Sequence, residues 1–93
     1  EKAAPKLMSA APNPFTSQTT ISAQWDLSSH VQIEIYNNAG LRVKVLKSGH
    51  SNGKGSIKSK WNGKNQNGNI LPAGIYHVVM FWEGEEIDTL KVV

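Results

Sequence analysis

Apolar and polar residues alternate along most of this chain with the period of two that a half-buried strand requires. Residues 19–25 place Ile21, Ala23 and Trp25 on one face and Thr20, Ser22 and Gln24 on the other. Residues 30–36 alternate more clearly, with Val31, Ile33 and Ile35 opposed to Gln32, Glu34 and Tyr36. Residues 41–46 set Leu41, Val43 and Val45 against Arg42 and Lys44, and residues 56–61 set Ile57, Ser59 and Trp61 against Lys58 and Lys60. Residues 74–82 are apolar on both faces, Ile75, Val79 and Phe81 on one, Tyr76, Val78, Met80 and Trp82 on the other. Such a strand is central and covered on both sides, or covered by a neighbouring domain. A short first strand is expected over residues 6–10. The last runs over residues 86–93, with Ile87, Leu90 and Val92 as its apolar positions.

The segments between these runs carry turn chemistry. Pro12 and Pro14 lack the N–H that a central ladder needs, so residues 11–14 form a bend, and Phe15 plugs the edge of the core behind it. Residues 26–29 read as a turn and residues 37–40 as a hairpin connection. Residues 47–55, with three glycines, read as a long mobile loop. Between Trp61 and Tyr76 lie Asn62-Gly63 and Asn67-Gly68, pairs that tolerate the positive φ of tight turns. Leu71-Pro72 closes that segment and Gly74 launches the next strand. The spacing from Leu71-Pro72 to Tyr76 suits a tyrosine corner, in which the hydroxyl bonds backbone upstream of its strand. Residues 83–85 turn the chain back once more. About seven short strands without a helical period predict an all-β fold, an immunoglobulin-like or fibronectin III-like antiparallel β-sandwich. Residues 1–6 read as a linker or frayed terminus, and residues 7–93 as the sandwich domain.

Composition narrows the classes without naming a chemistry. Ninety-three residues, 39% of them hydrophobic, suit one small globular domain. No run approaches the roughly 18 apolar residues of a membrane span. The opening residues lack the apolar core of a signal peptide, so any export signal would sit on a longer precursor, or the segment was cut out of one. The absence of cysteine excludes disulfides, thiol nucleophiles and thiolate metal sites. The net charge is +3, and its excess lies between Arg42 and Lys64, where no acid occurs. A basic stretch can meet acidic polymers, but these lysines alternate with apolar residues as strand exteriors do. Nucleic acid is not expected as a partner.

Candidate sites are few. Asn65, Asn67 and Asn69 alternate like the ligands of a calcium loop, yet such loops need carboxylates and these are neutral amides. His30, His50 and His77 have no metal-ligand spacing and read as unrelated surface and strand residues. Ser28-Ser29-His30 and Ser48-Gly49-His50 lack the converging acid and oxyanion hole of a hydrolase. Exposed aromatic rings would stack on sugars; Trp25, Trp61 and Tyr76 fall in core phase, which leaves Tyr36 and Trp82 as possible sugar contacts.

Pro12-Asn13-Pro14-Phe15 with residues 19–22, residues 31–37 with 40–43, Trp61 to Gly68 with residues 71–76, and residues 90–93 together resemble one family. It is the immunoglobulin-like domain of the flagellar hook-capping protein, which shades into the C-terminal sorting domains of the type IX secretion system. The resemblance runs from about residue 8 to the end of the sequence. Its structural motif is carried by Pro12, Asn13, Pro14, Trp61, Gly63, Gly68, Gly74 and Tyr76. The family usually has Asp where this chain has Asn62 and Asn65, which keeps the turns but removes the charge a cation would need. The resemblance implies a module with no enzymatic activity and no cofactor, attached to a parent catalytic or adhesin domain of an exported bacterial protein. Secreted or cell-surface localisation and a monomeric state are expected with it. The implied role is secretion, sorting or surface attachment. The expected contacts with secretion machinery are Leu90, Lys91, Val92 and Val93 in the last strand and Arg42, Lys44, Lys58 and Lys60 in the basic stretch. A carbohydrate-binding module of a secreted glycoside hydrolase, with polysaccharide as partner, and a hook-cap-like assembly domain are the alternatives.

Overall fold

The structure, a computed structural model, describes residues 6–25, 29–51 and 55–93. Residues 1–5 of the expected linker 1–6, residues 26–28 of the expected turn 26–29 and residues 52–54 of the expected loop 47–55 lie outside the described residues, while Lys6 and Ser29 open strands. Seven strands follow in chain order: β1 (Lys6–Ala11), β2 (Thr19–Trp25), β3 (Ser29–Asn37), β4 (Arg42–Ser51), β5 (Gly55–Trp61), β6 (Tyr76–Trp82) and β7 (Glu85–Val92). Every pairing is antiparallel. They form a three-stranded sheet, β1-β2-β5, and a four-stranded sheet, β4-β3-β6-β7. The fold is the expected immunoglobulin-like sandwich, and β6 is an interior strand of its sheet, as its two apolar faces required.

The core is the set of inward positions that the alternation identified. Ile21, Ala23 and Trp25 of β2 and Trp61 of β5 meet Val31, Ile33 and Ile35 of β3, Tyr76, Val78, Met80 and Trp82 of β6 and Val92 of β7. Each large side chain fully removed from water contributes about 1.5–3 kcal/mol. Gly55 stands opposite Trp25 in register, and a Cβ there would lie 2.6 Å from the indole nitrogen. The Trp25 ring therefore packs across bare backbone, which no other residue type permits.

Four departures from the sequence expectations have physical causes. The expected mobile loop at 47–55 is mostly strand: β4 continues to Ser51, pairing with β3 back to Ser29, and β5 begins at Gly55. Pairing with a neighbouring strand outweighs the poor strand propensity of Ser48-Gly49. Two register shifts in the β3–β4 ladder then alter which β4 residues face inward. Val43 and Leu46 pack against the core, whereas Leu41 precedes the strand and is 65% exposed. Thirdly, β6 starts at Tyr76 rather than Gly74, leaving Ile75 outside it and exposed. Lastly, Trp82 was expected at the surface, but it pairs with Val31 on the core face and is 8% exposed.

A sandwich sheet has edges, and here three polar side chains satisfy backbone groups beyond the strand pairings. Asn13, between two prolines, donates from Nδ2 to the Lys91 carbonyl at 2.8 Å and accepts at Oδ1 from the Val93 N–H at 3.1 Å. It takes the place of a strand along the end of β7, and the Phe15 N–H adds a bond to the Val93 carbonyl. On the opposite edge, Gln66 donates its N–H to the Val43 carbonyl, and its Oε1 accepts from the Val45 N–H, both at 2.9 Å. Glu83 closes β3: its N–H donates to the His30 carbonyl at 3.0 Å and its Oε2 accepts from the His30 N–H at 3.1 Å. Glu83 has a φ of 53° and Gly84 one of 84°, the doubly positive pattern of a type I′ hairpin turn.

Two outcomes are expected. Replacing Asn13 with Ala removes two hydrogen bonds to backbone and lowers stability by about 1–3 kcal/mol in a denaturant titration. The Thr19 hydroxyl is fully buried without a partner among the described residues. Thr19→Val keeps the shape and removes that unpaired group, so the melting temperature rises by about 4–8 °C, as for roughly 1 kcal/mol of added stability.

Candidate functional site

One end of the sandwich gathers the segment 12–18, the β3–β4 turn, the long β5–β6 connection and the end of β7. Trp61 organises it. The ring is fully buried, edge-on to Tyr76 at 5.3 Å between centroids and tilted against Phe15 at 5.6 Å. Its Nε1 donates to the Lys64 carbonyl at 2.9 Å, which draws the loop over the core. The Tyr76 hydroxyl donates to the Pro72 carbonyl, four residues upstream, completing the tyrosine corner.

Above this aromatic base the loop forms a miniature hairpin. Lys64 bridges Ile70, and the Leu71 N–H donates to the Gly63 carbonyl at 2.9 Å. Asn65 ties its tip: Oδ1 accepts from the N–H groups of Asn67 at 3.0 Å and Asn69 at 2.9 Å, while the Gly68 N–H donates to the Asn65 carbonyl. Gly68 holds a φ of 84° at that tip, a conformation that disfavours a side chain. The Asn65 oxygen is thus engaged by backbone, in the Asx-turn role that its residue type favours. Among the described residues no group of three or more His, Asp or Glu side chains converges on a metal position.

The hairpin holds Ile70 in solvent, 82% exposed, beside a groove of about 360 Å³. Phe15, Trp61, Leu71, Pro72 and Val93 line that groove, and Gly63 and Gly74 border it. On the other side of the same loop, Ala39, Val43 and Ile75 line a second depression with Leu71 and Pro72. Exposed Leu41, Ile75 and Val93 add to Ile70 at this end. Isolated apolar residues on a surface are ordinary; several around concave ground suit contact with another macromolecule. The strand pattern passed over Ile70. Its signal was a large apolar residue beside Leu71-Pro72, within a segment otherwise read only for turns.

The expected contact residues do not form one patch. Val92 is fully buried, Leu90 is half-buried, and Lys91 and Val93 are exposed at the end of β7. Lys58 and Lys60 lie on the outer face of the three-stranded sheet, whereas Arg42 and Lys44 belong to the other sheet. Tyr36 and Trp82 occupy opposite faces of the four-stranded sheet, Tyr36 in the row of His77 and Trp82 against the core. They do not share a stacking platform.

That outer face holds a polar cluster that alternation did not reveal. Glu34, assigned outward by its phase, is only 4% exposed. Its carboxylate accepts from the Tyr36 hydroxyl at 2.7 Å, Arg42 Nη1 at 3.2 Å and Gln32 Nε2 at 3.4 Å. Arg42 is also its ion-pair partner, which removes this cation from the free basic stretch. The hydrogen bond to Glu34, followed by burial, pushes the Tyr36 pKa above its ordinary value. A tyrosine with a raised folded pKa gives its full stabilisation below the unfolded value near 10 and loses it as pH rises through the folded value. Stability therefore falls above about pH 10 in the native chain. Tyr36→Phe flattens this alkaline slope, as measured by urea midpoints from pH 8 to 11.5.

The family model described as the FlgD Ig-like domain matches residues 9–86. No curated protein and no solved structure matches the chain. The matched span takes in the end of β1, all of β2 to β6, the tyrosine corner, the β6–β7 turn and the start of β7. The chain belongs to the FlgD Ig-like domain family.

Proposed function

We propose that this domain is a non-catalytic accessory module of a larger exported bacterial protein and serves its sorting or surface attachment. In this reading the loop end of the sandwich is the surface it offers to a protein of the secretion machinery. The observation that carries the proposal is the apolar rim at that end. Ile70 stands 82% exposed beside a groove that Val93, 44% exposed, also lines. The Trp61, Asn65 and Gln66 hydrogen bonds tie the rim to the chain's own backbone, so little ordering is left to oppose binding. The end of β7 reaches the same place, which joins the expected last-strand contact to the groove. The family match supports an Ig-like accessory domain and is compatible with hook-cap-like assembly.

Deleting the end of β7 removes Val92 from the core, so point changes at exposed positions test the proposal better. A reporter fused to this domain is exported in a bacterium that carries type IX machinery. Ile70→Asp lowers the exported fraction at least fivefold while the melting temperature stays within about 2 °C, as for surface substitutions. Lys58→Glu with Lys60→Glu, on the outer face of the other sheet, leaves export unchanged. Unchanged export with Ile70→Asp refutes the assignment of the loop end. Hook-cap-like assembly would appear instead as oligomers in size-exclusion chromatography with light scattering.

A further inference from the structure

We propose that His30 and His50 form a two-imidazole chelate for a divalent transition-metal ion of the zinc and copper type, spanning β3 and β4. The two residues are 20 apart in sequence and directly opposite in register. Both are exposed. Directly opposite residues in an antiparallel pair project from the same face of the sheet.

The hydrogen bonds of His30 set the distance between them. Its N–H donates to the Glu83 carboxylate, and its carbonyl accepts from the Glu83 N–H. In an antiparallel strand the N–H and C=O of one residue point to the same side. Both groups of His30 therefore point towards Glu83, away from β4. His30 and His50 are consequently a non-hydrogen-bonded pair, the closer of the two cross-strand relations, with Cα atoms about 4.5 Å apart. That separation lets two imidazoles close on one ion at the roughly 2.0–2.1 Å that a zinc–nitrogen bond requires.

The donor set selects the ion. Neutral imidazole suits zinc, copper and nickel, whereas magnesium and calcium prefer oxygen. An imidazole can bind metal through one ring nitrogen while the other keeps a hydrogen bond. No third His or acid converges to complete a protein shell among the described residues. Water or a donor from a partner molecule completes it, so the site is open. A bound ion would cross-link the far half of β4 to β3.

Isothermal titration calorimetry with zinc chloride at pH 7.5 tests this on the whole domain, with magnesium chloride as the control ion. One zinc binds per chain, and the magnesium titration shows no heat of binding. His50→Ala and His30→Ala each weaken zinc binding at least tenfold. His77→Ala, whose ring meets Asn38 at the other end of the sheet, binds zinc as the native chain does. Nuclear magnetic resonance follows the ring signals: those of His30 and His50 move on zinc addition while that of His77 stays, and the amide spectrum of His50→Ala confirms its fold. No saturable zinc binding by the native chain, or unchanged affinity in folded His50→Ala, overturns the proposal.

Discussion

A sandwich built from two open sheets must satisfy the backbone groups along its strand edges, and this constraint explains the placement of its most informative polar side chains. Unmet donors and acceptors on an edge invite another strand, while buried ones cost about as much as a lost hydrogen bond. Asn13 covers the end of β7 and Gln66 covers β4, the two outer strands of the four-stranded sheet. Glu83 does the same for His30 beside a two-residue turn. Asn13 does this with its side-chain amide alone, and Gln66 with its backbone N–H and side-chain oxygen together. The prolines flanking Asn13 cannot enter a ladder through their nitrogens, so the segment approaches β7 through its side chain.

The same bonds decide where function can sit. Gln66 fastens the β5–β6 loop to β4 from one side, and Trp61 fastens it to the core from below. The loop becomes a rigid platform, and Ile70 is displayed by it rather than folded away. Asn65 spends its side-chain oxygen on the loop's own backbone. The polar density of this segment is therefore structural, and the surface it creates is apolar. At the other end of β3, the Glu83 clamp turns the His30 backbone away from β4 and so sets the close relation between the facing histidines.

Alternation in the sequence was enough to place the core. Ile21, Ala23, Trp25, Val31, Ile33, Ile35, Trp61, Tyr76, Val78 and Met80 are buried because a strand presents every second residue to one face. The tyrosine corner was legible too, since Pro72 and Tyr76 interact within a local stretch of chain. Family membership was carried by these turn and core residues together.

What the sequence could not determine depended on long-range pairing. β4 extends through Ser48-Gly49-His50 because β3 offers a complete ladder there, a fact that local propensity does not contain. The shift between Lys47 and Val45 in that ladder brought Leu46 to the core beside Val43, and Leu41 is exposed because the strand begins after it. Glu34 is buried because Tyr36, Arg42 and Gln32 close over it, which its phase on the strand cannot show. Asn13 and Val93 are 80 residues apart, and His30 and Glu83 are 53 apart. Local residue types determined which segments become strands and turns; only the packed sheets decided which side chains meet across them, because those meetings depend on register between distant segments.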